Sequence, residues 1–185
     1  MASLPNSKTV SYEEWLRMPE VGDAIEEVVN GEIRIMPAPK WEHSEVVDNL
    51  WEQISAQVDK RETKVKASQF ALIVRRQPLT TRIPDLAIFE RRTIIEHDGY
   101  IHSAPQLVVE VLSPANRRRE REEKLADYAE LGVLEVWVVA PQGLTVEVLY
   151  LEEGRLHRFG VFADGTLTPR HFPSVHIEVA NIWPK

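Results

Sequence analysis

The sequence predicts one α/β domain. Three features carry that expectation: a hairpin signal at Asn30-Gly31, a strand–helix–strand run over residues 106–140, and a tail in which short β-prone segments alternate with glycine turns. A chain of 185 residues suffices for one sizeable core, whereas two domains would leave both halves small. No internal repeat, linker or low-complexity segment interrupts the pattern.

Ser11 and Glu14 have capping-box spacing, which predicts a short helix running to about Met18 and stopping before Pro19. Residues 26–35 follow, and Asn30-Gly31 at their centre tolerates the positive φ angles of a two-residue turn, so this stretch reads as a β-hairpin. Pro37 and Pro39 then end the strand. Over residues 41–60, Val46 or Val47, Leu50, Ile54 and Val58 recur at helical spacing and predict the longest helix.

Residues 64–76 read as one strand rich in β-branched and aromatic side chains, and 83–89 as another, with Pro84 tolerated near its start. The run 106–112 is apolar except for Glu110, the pattern of a strand buried on both faces, and Ser113-Pro114 ends it. A helix over 116–131, closed by Gly132, leads into a second buried strand at 134–140. That order predicts a parallel pair with a right-handed crossover. Beyond Pro141, turns at Gln142-Gly143, Glu153-Gly154 and Asp164-Gly165 space out short strands that should add antiparallel edges.

No apolar run approaches the roughly 20 residues that cross a bilayer. The first fifteen residues lack the basic patch and apolar stretch of a signal peptide, so a cytoplasmic location is expected. Cysteine is absent, which excludes disulfides, thiolate catalysis and cysteine-based zinc sites; a metal would have to sit on oxygen or imidazole ligands. With 29 acidic against 22 basic residues the formal charge is −7, unlike the basic balance of passive nucleic-acid binders. Basic residues nevertheless cluster at Arg75-Arg76, Arg82, Arg91-Arg92 and Arg117-Arg118-Arg119 with Arg121. They form either a local patch for phosphate or a solvated surface on which arginines surround acids.

Glu110 is the informative residue. An ionised carboxylate inside an apolar strand is costly to bury, so it needs a cation, a hydrogen-bond network or a place at the strand's exposed end. Asp85 stands just before the apolar run of the preceding predicted strand. If these strands are neighbours, both carboxylates converge on one hard cation, whose charge offsets their repulsion; magnesium typically takes one or two carboxylates and fills its shell with water and phosphate. The competing readings are that Asp85 caps its strand and that Glu110 pairs with a buried arginine. Arg117, Arg121, Lys124 and Tyr128 fall on one stripe of the following helix, which packs back on the strand of Glu110 and directs Lys124 at the site. An ordinary Glu120–Lys124 helix pair competes for that lysine.

The segments PDLAIF with Asp85, LVVEVLSP with Glu110 and RRREREEKLADYAELGV with Lys124, together with EEVVNGEIRIMPAPKWEH and EVWVVAP, resemble the Uma family of restriction-endonuclease-like proteins within the PD-(D/E)XK nuclease superfamily. The resemblance implies a restriction-endonuclease-like mixed central sheet flanked by helices. It also implies that Asp85 and Glu110 bind a divalent cation, magnesium or manganese, with the Val111 carbonyl as a further metal ligand. The implied reaction is endonucleolytic hydrolysis of DNA through a metal-activated water, carried out by a homodimer. The lysine expected two residues after Glu110 is replaced by Leu112, and Lys124 is the natural migrated substitute. Glu27 matches an acidic position of the family and is a candidate assisting residue, although counting outward from Asn30-Gly31 sets it opposite Arg34, where a cross-strand salt bridge competes. His43 matches too, and is otherwise a surface histidine near a helix N-terminus. The five tryptophans read as core or interface anchors rather than base-stacking platforms. Three readings follow: a magnesium-dependent endonuclease with Asp85, Glu110, Lys124 and Glu27 as its catalytic residues, a non-catalytic binding protein that keeps the nuclease fold, or a structural or regulatory dimer in which the carboxylates pair with arginines.

Overall fold

A computed structural model describes residues 9–19, 25–67, 70–113 and 118–184. The capping box forms as expected: Ser11 Oγ accepts the Glu14 N–H, the Glu14 carboxylate accepts the Ser11 N–H, and helix α1 spans Tyr12–Trp15. Strands β1 (Ile25–Val29) and β2 (Glu32–Met36) pair antiparallel around Asn30 and Gly31, whose φ angles of 52° and 81° are those of the predicted turn. Gly31 is required twice over, since a Cβ there would lie 2.8 Å from the backbone nitrogen of Val10.

Helix α2 (Trp41–Ser55) buries Val46, Val47, Leu50 and Ile54, the predicted stripe. It ends at Ser55 rather than near Lys60, because the Gln57 side chain turns back to the Gln53 carbonyl and also reaches the His176 carbonyl. Val58 still packs on the core from the turn that follows.

The single strand expected over 64–76 is two strands, β3 (Thr63–Ala67) and β4 (Leu72–Arg76), and they belong to different sheets. Strand β5 (Leu79–Arg82), unanticipated, pairs with β4; β6 (Leu86–Glu90) takes the place of the strand predicted at 83–89, with Pro84 just outside it. Two short strands, β7 (Glu96–His97) and β8 (Tyr100–Ile101), complete a four-stranded sheet in the order β5-β4-β8-β7.

The remaining elements match the sequence closely. They are β9 (Leu107–Val111), helix α3 (Arg118–Leu131), β10 (Glu135–Ala140), β11 (Thr145–Glu152), β12 (Arg155–Phe162), and the short pair β13 (Thr166–Leu167) and β14 (Ile177–Glu178). The expected start of α3 at Asn116 lies outside the described residues. The central sheet has the order β12-β11-β10-β9-β6-β3 and is mixed, because β9 and β10 run parallel while the other neighbours are antiparallel.

Alternation along these strands explains why they are apolar throughout. Leu86, Ile88, Leu107, Val109, Trp137 and Val139 face α2 and the C-terminal segment, whereas Ala87, Phe89, Val108, Val136 and Val138 share the other core with Tyr128 of α3. Trp137 is therefore a core anchor, one of the two roles expected of the tryptophans, whereas Trp41 and Trp51 are 79% and 43% exposed and lie outside the buried core. Among the described residues no helix is long and apolar enough to cross a membrane.

Candidate active site

Because β6 runs antiparallel to β9 with Leu86 opposite Val109, the start of β6 and the end of β9 meet at one end of the sheet. Asp85 immediately precedes β6, and its Oδ2 accepts the backbone N–H of Val111 at 2.7 Å. Glu110 is the penultimate residue of β9, with its parallel partner Val138 beside it on β10. Since Val109 and Val111 pack toward α2, alternation turns Glu110 toward α3.

There α3 meets it with two groups. Lys124 Nζ stands 3.0 Å from Glu110 Oε2, and the Tyr128 hydroxyl donates a short hydrogen bond to Oε1. Residues four apart share a helix face, so one turn of α3 supplies both partners. The predicted stripe thus delivers Lys124 and Tyr128 to the carboxylate, while Arg121 turns to Glu147 and Arg117 lies outside the described residues. The reading in which Glu110 pairs with a buried arginine does not hold: its partners are an ammonium and a phenol rather than a guanidinium. Tyr128 was on the predicted stripe without a predicted role, and its complete burial gives it one.

Glu27 comes from β1. The register does set it opposite Arg34, but the expected cross-strand pair does not form: Arg34 donates to Glu123 at 2.7 Å, and Glu27 Oε2 meets Arg82 Nη1 at 3.0 Å. Arg82 is 2% exposed and also donates from Nε to Asp127 at 2.7 Å. A guanidinium sealed from water must find carboxylates, whereas the partly exposed Arg34 has solvent as an alternative. Glu27 Oε1 accepts the Ile83 N–H at 2.9 Å and lies 3.5 Å from Lys124 Nζ, which brings Glu27 into the same cluster.

His43 is a correction. It is not a surface histidine: its side chain is 16% exposed, and Nε2 lies 3.3 Å from Asp85 Oδ2. Its buried Nδ1 makes no hydrogen bond. The signal was present in the sequence, because His43, Val46, Val47 and Leu50 occupy one helical stripe and the last three are core residues.

Burial pushes the Glu110 carboxyl above the ordinary carboxylate range, and the charges of Asp85 and Glu27 act in the same direction against Lys124 and Tyr128. Lys124 is also buried, which opposes its charge, but Glu110, Glu27 and Asp85 outweigh burial and raise its pKa, so it is a firm cation. Burial, then Glu110 and Glu27, hold the Tyr128 hydroxyl well above its usual value and keep it a donor. For His43, burial disfavours protonation, yet the hydrogen bond and charge of Asp85 prevail and raise its pKa above 6.5.

These groups open on a cleft of 480 Å³ that is bordered by Glu27, His43, Asp85, Glu110 and Lys124 together with apolar residues such as Met36 and Val47 and further polar ones such as Lys40 and Ser44. A second depression of 440 Å³ shares Glu27, Glu110 and Lys124 and continues past Arg34 and Arg121. The donor set suits a hard cation held through one or two carboxylates with the rest of its shell from water and substrate, and the unpartnered Nδ1 of His43 is a polar atom that such a shell could satisfy. Among the described residues no group of three or more His, Asp or Glu side chains is arranged to hold a metal ion.

The arginine clusters also resolve. Arg75 pairs with Glu130, Arg76 with Glu13, Arg92 with Glu90 and Arg118 with Glu122, so these arginines surround acids rather than form an uncompensated phosphate patch.

Residues 12–180 match the family model Uma2, described as "Putative restriction endonuclease". Among solved structures, the chain is similar to a "putative nuclease belonging to DUF820" from Anabaena variabilis, with a TM-score of 0.76 and 20% identity over 94% of this chain and 97% of that one. At that identity the likeness establishes the fold. No curated protein matches the chain.

Proposed function

The chain belongs to the Uma2 family, and from that premise we propose that it is a divalent-metal-dependent endonuclease that hydrolyses DNA phosphodiester bonds, with magnesium or manganese as its cation. The observation that carries this reading is the meeting of Asp85 and Glu110 at one sheet end, beside an open cleft and under a buried lysine.

In this reading Asp85 and Glu110 hold the cation, with the Val111 carbonyl as a further ligand. The Val111 N–H fixes the Asp85 carboxylate at the strand end, and Tyr128 and Lys124 restrict Glu110 to one orientation. When bound, the cation supplies positive charge at the phosphate and makes water a stronger nucleophile near neutral pH. Lys124 balances charge in the role left open by Leu112, and orients the attacking water or steadies negative charge that develops on the phosphate. Glu27 assists indirectly: it lies against Lys124 and ties that lysine to Arg82 through its second oxygen.

A non-catalytic member with the same fold is the second reading, favoured by the engagement of both Glu110 oxygens with protein groups. Supercoiled plasmid separates the two. The endonuclease should nick it with magnesium or manganese, lose that activity with chelator, and lose it in Asp85→Ala and Glu110→Ala. Calorimetric cation binding without cleavage by the wild type would establish the non-catalytic alternative.

A further inference from the structure

Resting on the nuclease reading above, we infer that the site takes an unpaired strand: one unstacked nucleotide enters the 480 Å³ cleft beside Asp85 and Glu110, with Trp41 as an external stacking platform, so that the preferred substrate is single-stranded DNA or the unpaired tail of a duplex.

Three observations converge on this. The first is that, among the described residues, the arginines beside the carboxylates are already engaged. Proteins that grip duplex DNA do so largely by neutralising phosphates along two strands. Here the arginines bordering the carboxylates are already engaged: Arg34 donates to Glu123, Arg82 to Glu27 and Asp127, and Arg121 to Glu147. Lys124 is committed to Glu110 and Glu27. With a formal charge of −7 over the chain, the electrostatic term that dominates duplex binding is weak.

The second is the chemistry of the cleft itself. Beside the acidic groups and Lys124, its border includes Met36, Pro37, Pro39, Val47, Pro84 and Pro141, interspersed with polar residues such as Lys40 and Ser44. The apolar part of this surface fits the face of a base rather than a phosphate. Its 480 Å³ falls among sites of about 300–1,000 Å³ that enclose small organic ligands. A base inside a duplex cannot enter such a pocket without leaving its stack, at a cost of a few kcal/mol, whereas a base in a single strand is free to do so.

The third is Trp41. It is the first residue of α2, between Lys40 and Glu42, which both line the cleft, and its indole is 79% exposed. An exposed tryptophan at the rim, with no core role, has the properties of the aromatic platforms on which single-stranded nucleic acids stack. Its exposure excludes the core part of the expectation that the tryptophans are core or interface anchors, and stacking on a base is the role inferred for it here.

Fluorescence anisotropy with calcium in place of magnesium reads binding without turnover, using one sequence as a labelled single strand, a blunt duplex and a tailed duplex. The single strand and the tailed duplex should bind at least about tenfold more tightly than the blunt duplex, and Trp41→Ala should weaken single-strand binding about tenfold, in line with the loss of one base stack. Trp41→Phe should recover most of that loss, with circular dichroism unchanged in both variants. Equal or tighter binding of the blunt duplex overturns the inference, as does single-strand binding indifferent to Trp41→Ala. The same three DNAs with magnesium or manganese keep the two claims apart. Faster cleavage of the blunt duplex, abolished in Asp85→Ala, sinks the strand preference and leaves the nuclease reading intact. No cleavage of any of them sinks the nuclease reading, and the anisotropy ratio still decides the strand preference.

Discussion

Lys124 Nζ stands 3.0 Å from Glu110 Oε2, although the two residues are fourteen positions apart along the chain. Both side chains are largely buried, so removal of the ammonium leaves a carboxylate supported by the Tyr128 hydrogen bond. Breaking one partner from a buried pair costs about 3–5 kcal/mol, and Lys124→Met should lose stability of that order at neutral pH. The sign of its pH dependence follows from Glu110. A folded-state pKa above the unfolded value means that a penalty grows as pH rises from the ordinary carboxylate pKa through the folded one. Without Lys124 that penalty is larger, so the gap in thermal midpoint between wild type and variant should widen from mildly acidic to neutral pH. A gap that stays constant or narrows would exclude this pairing as its source.

The Tyr128 hydroxyl is the other restraint on Glu110. Tyr128→Phe keeps the buried ring and deletes only the donor. A hydrogen bond to a charged group contributes about 1.5–3 kcal/mol, so the unfolding free energy should fall by an amount in that range, read as a lower urea midpoint at an unchanged m-value. Divalent-cation affinity should change as well, because Glu110 gains rotational freedom. An unaltered urea midpoint would remove Tyr128 from the site.

The parts of this arrangement that were legible in the sequence are local ones. Asn30-Gly31 specifies its turn through backbone conformations that few residues adopt, and the apolar runs around Glu110 and Trp137 announce strands covered on both faces. Lys124 could be directed at Glu110 because a short strand–helix connection leaves one packing option. The four-stranded sheet was not legible: β4, β5 and β8 are brief, and their partners are chosen by tertiary contacts such as those of Leu72 and Ile73 with separate cores. The division between β3 and β4 carries no glycine or proline to mark it. Glu27 shows the same limit in the site, since its register with Arg34 could be counted but the intrusion of Arg82 from another sheet could not.

His43 supplies a direct reading of the electrostatics. Its hydrogen bond to Asp85 raises the imidazole pKa above 6.5, so the stabilisation it contributes is full below 6.5 and is lost as pH rises through the folded value. An NMR titration, with the resonance assigned by comparison with His43→Gln, should place its midpoint above 6.5 in the metal-free protein. In Asp85→Asn the main opposing influence disappears while burial remains, and the midpoint should drop below that of the wild type. A wild-type midpoint at or under 6.5 would mean that the contact with Asp85 does not persist in solution.

Arg82 tests how much of the site's rigidity comes from behind it. Its guanidinium is sealed from solvent and joins Glu27 of β1 to Asp127 of α3, the helix that also carries Lys124 and Tyr128. Arg82→Met preserves much of the length and deletes the charge, which leaves two carboxylates facing each other in a low-dielectric interior. The expected loss is about 3–5 kcal/mol, together with weakened cation binding at Asp85 and Glu110 as α3 loosens. Arg92→Met is the control: its side chain is 84% exposed and its pair with Glu90 lies at the surface, where such bridges contribute about 0–1 kcal/mol. Chemical denaturation of both variants should therefore separate them by several-fold in lost stability. Equal, small losses would show that Glu27 and Asp127 find other partners, and that α3 is positioned by its apolar contacts, with Tyr128 among Val108, Val136 and Val138, rather than by this buried guanidinium.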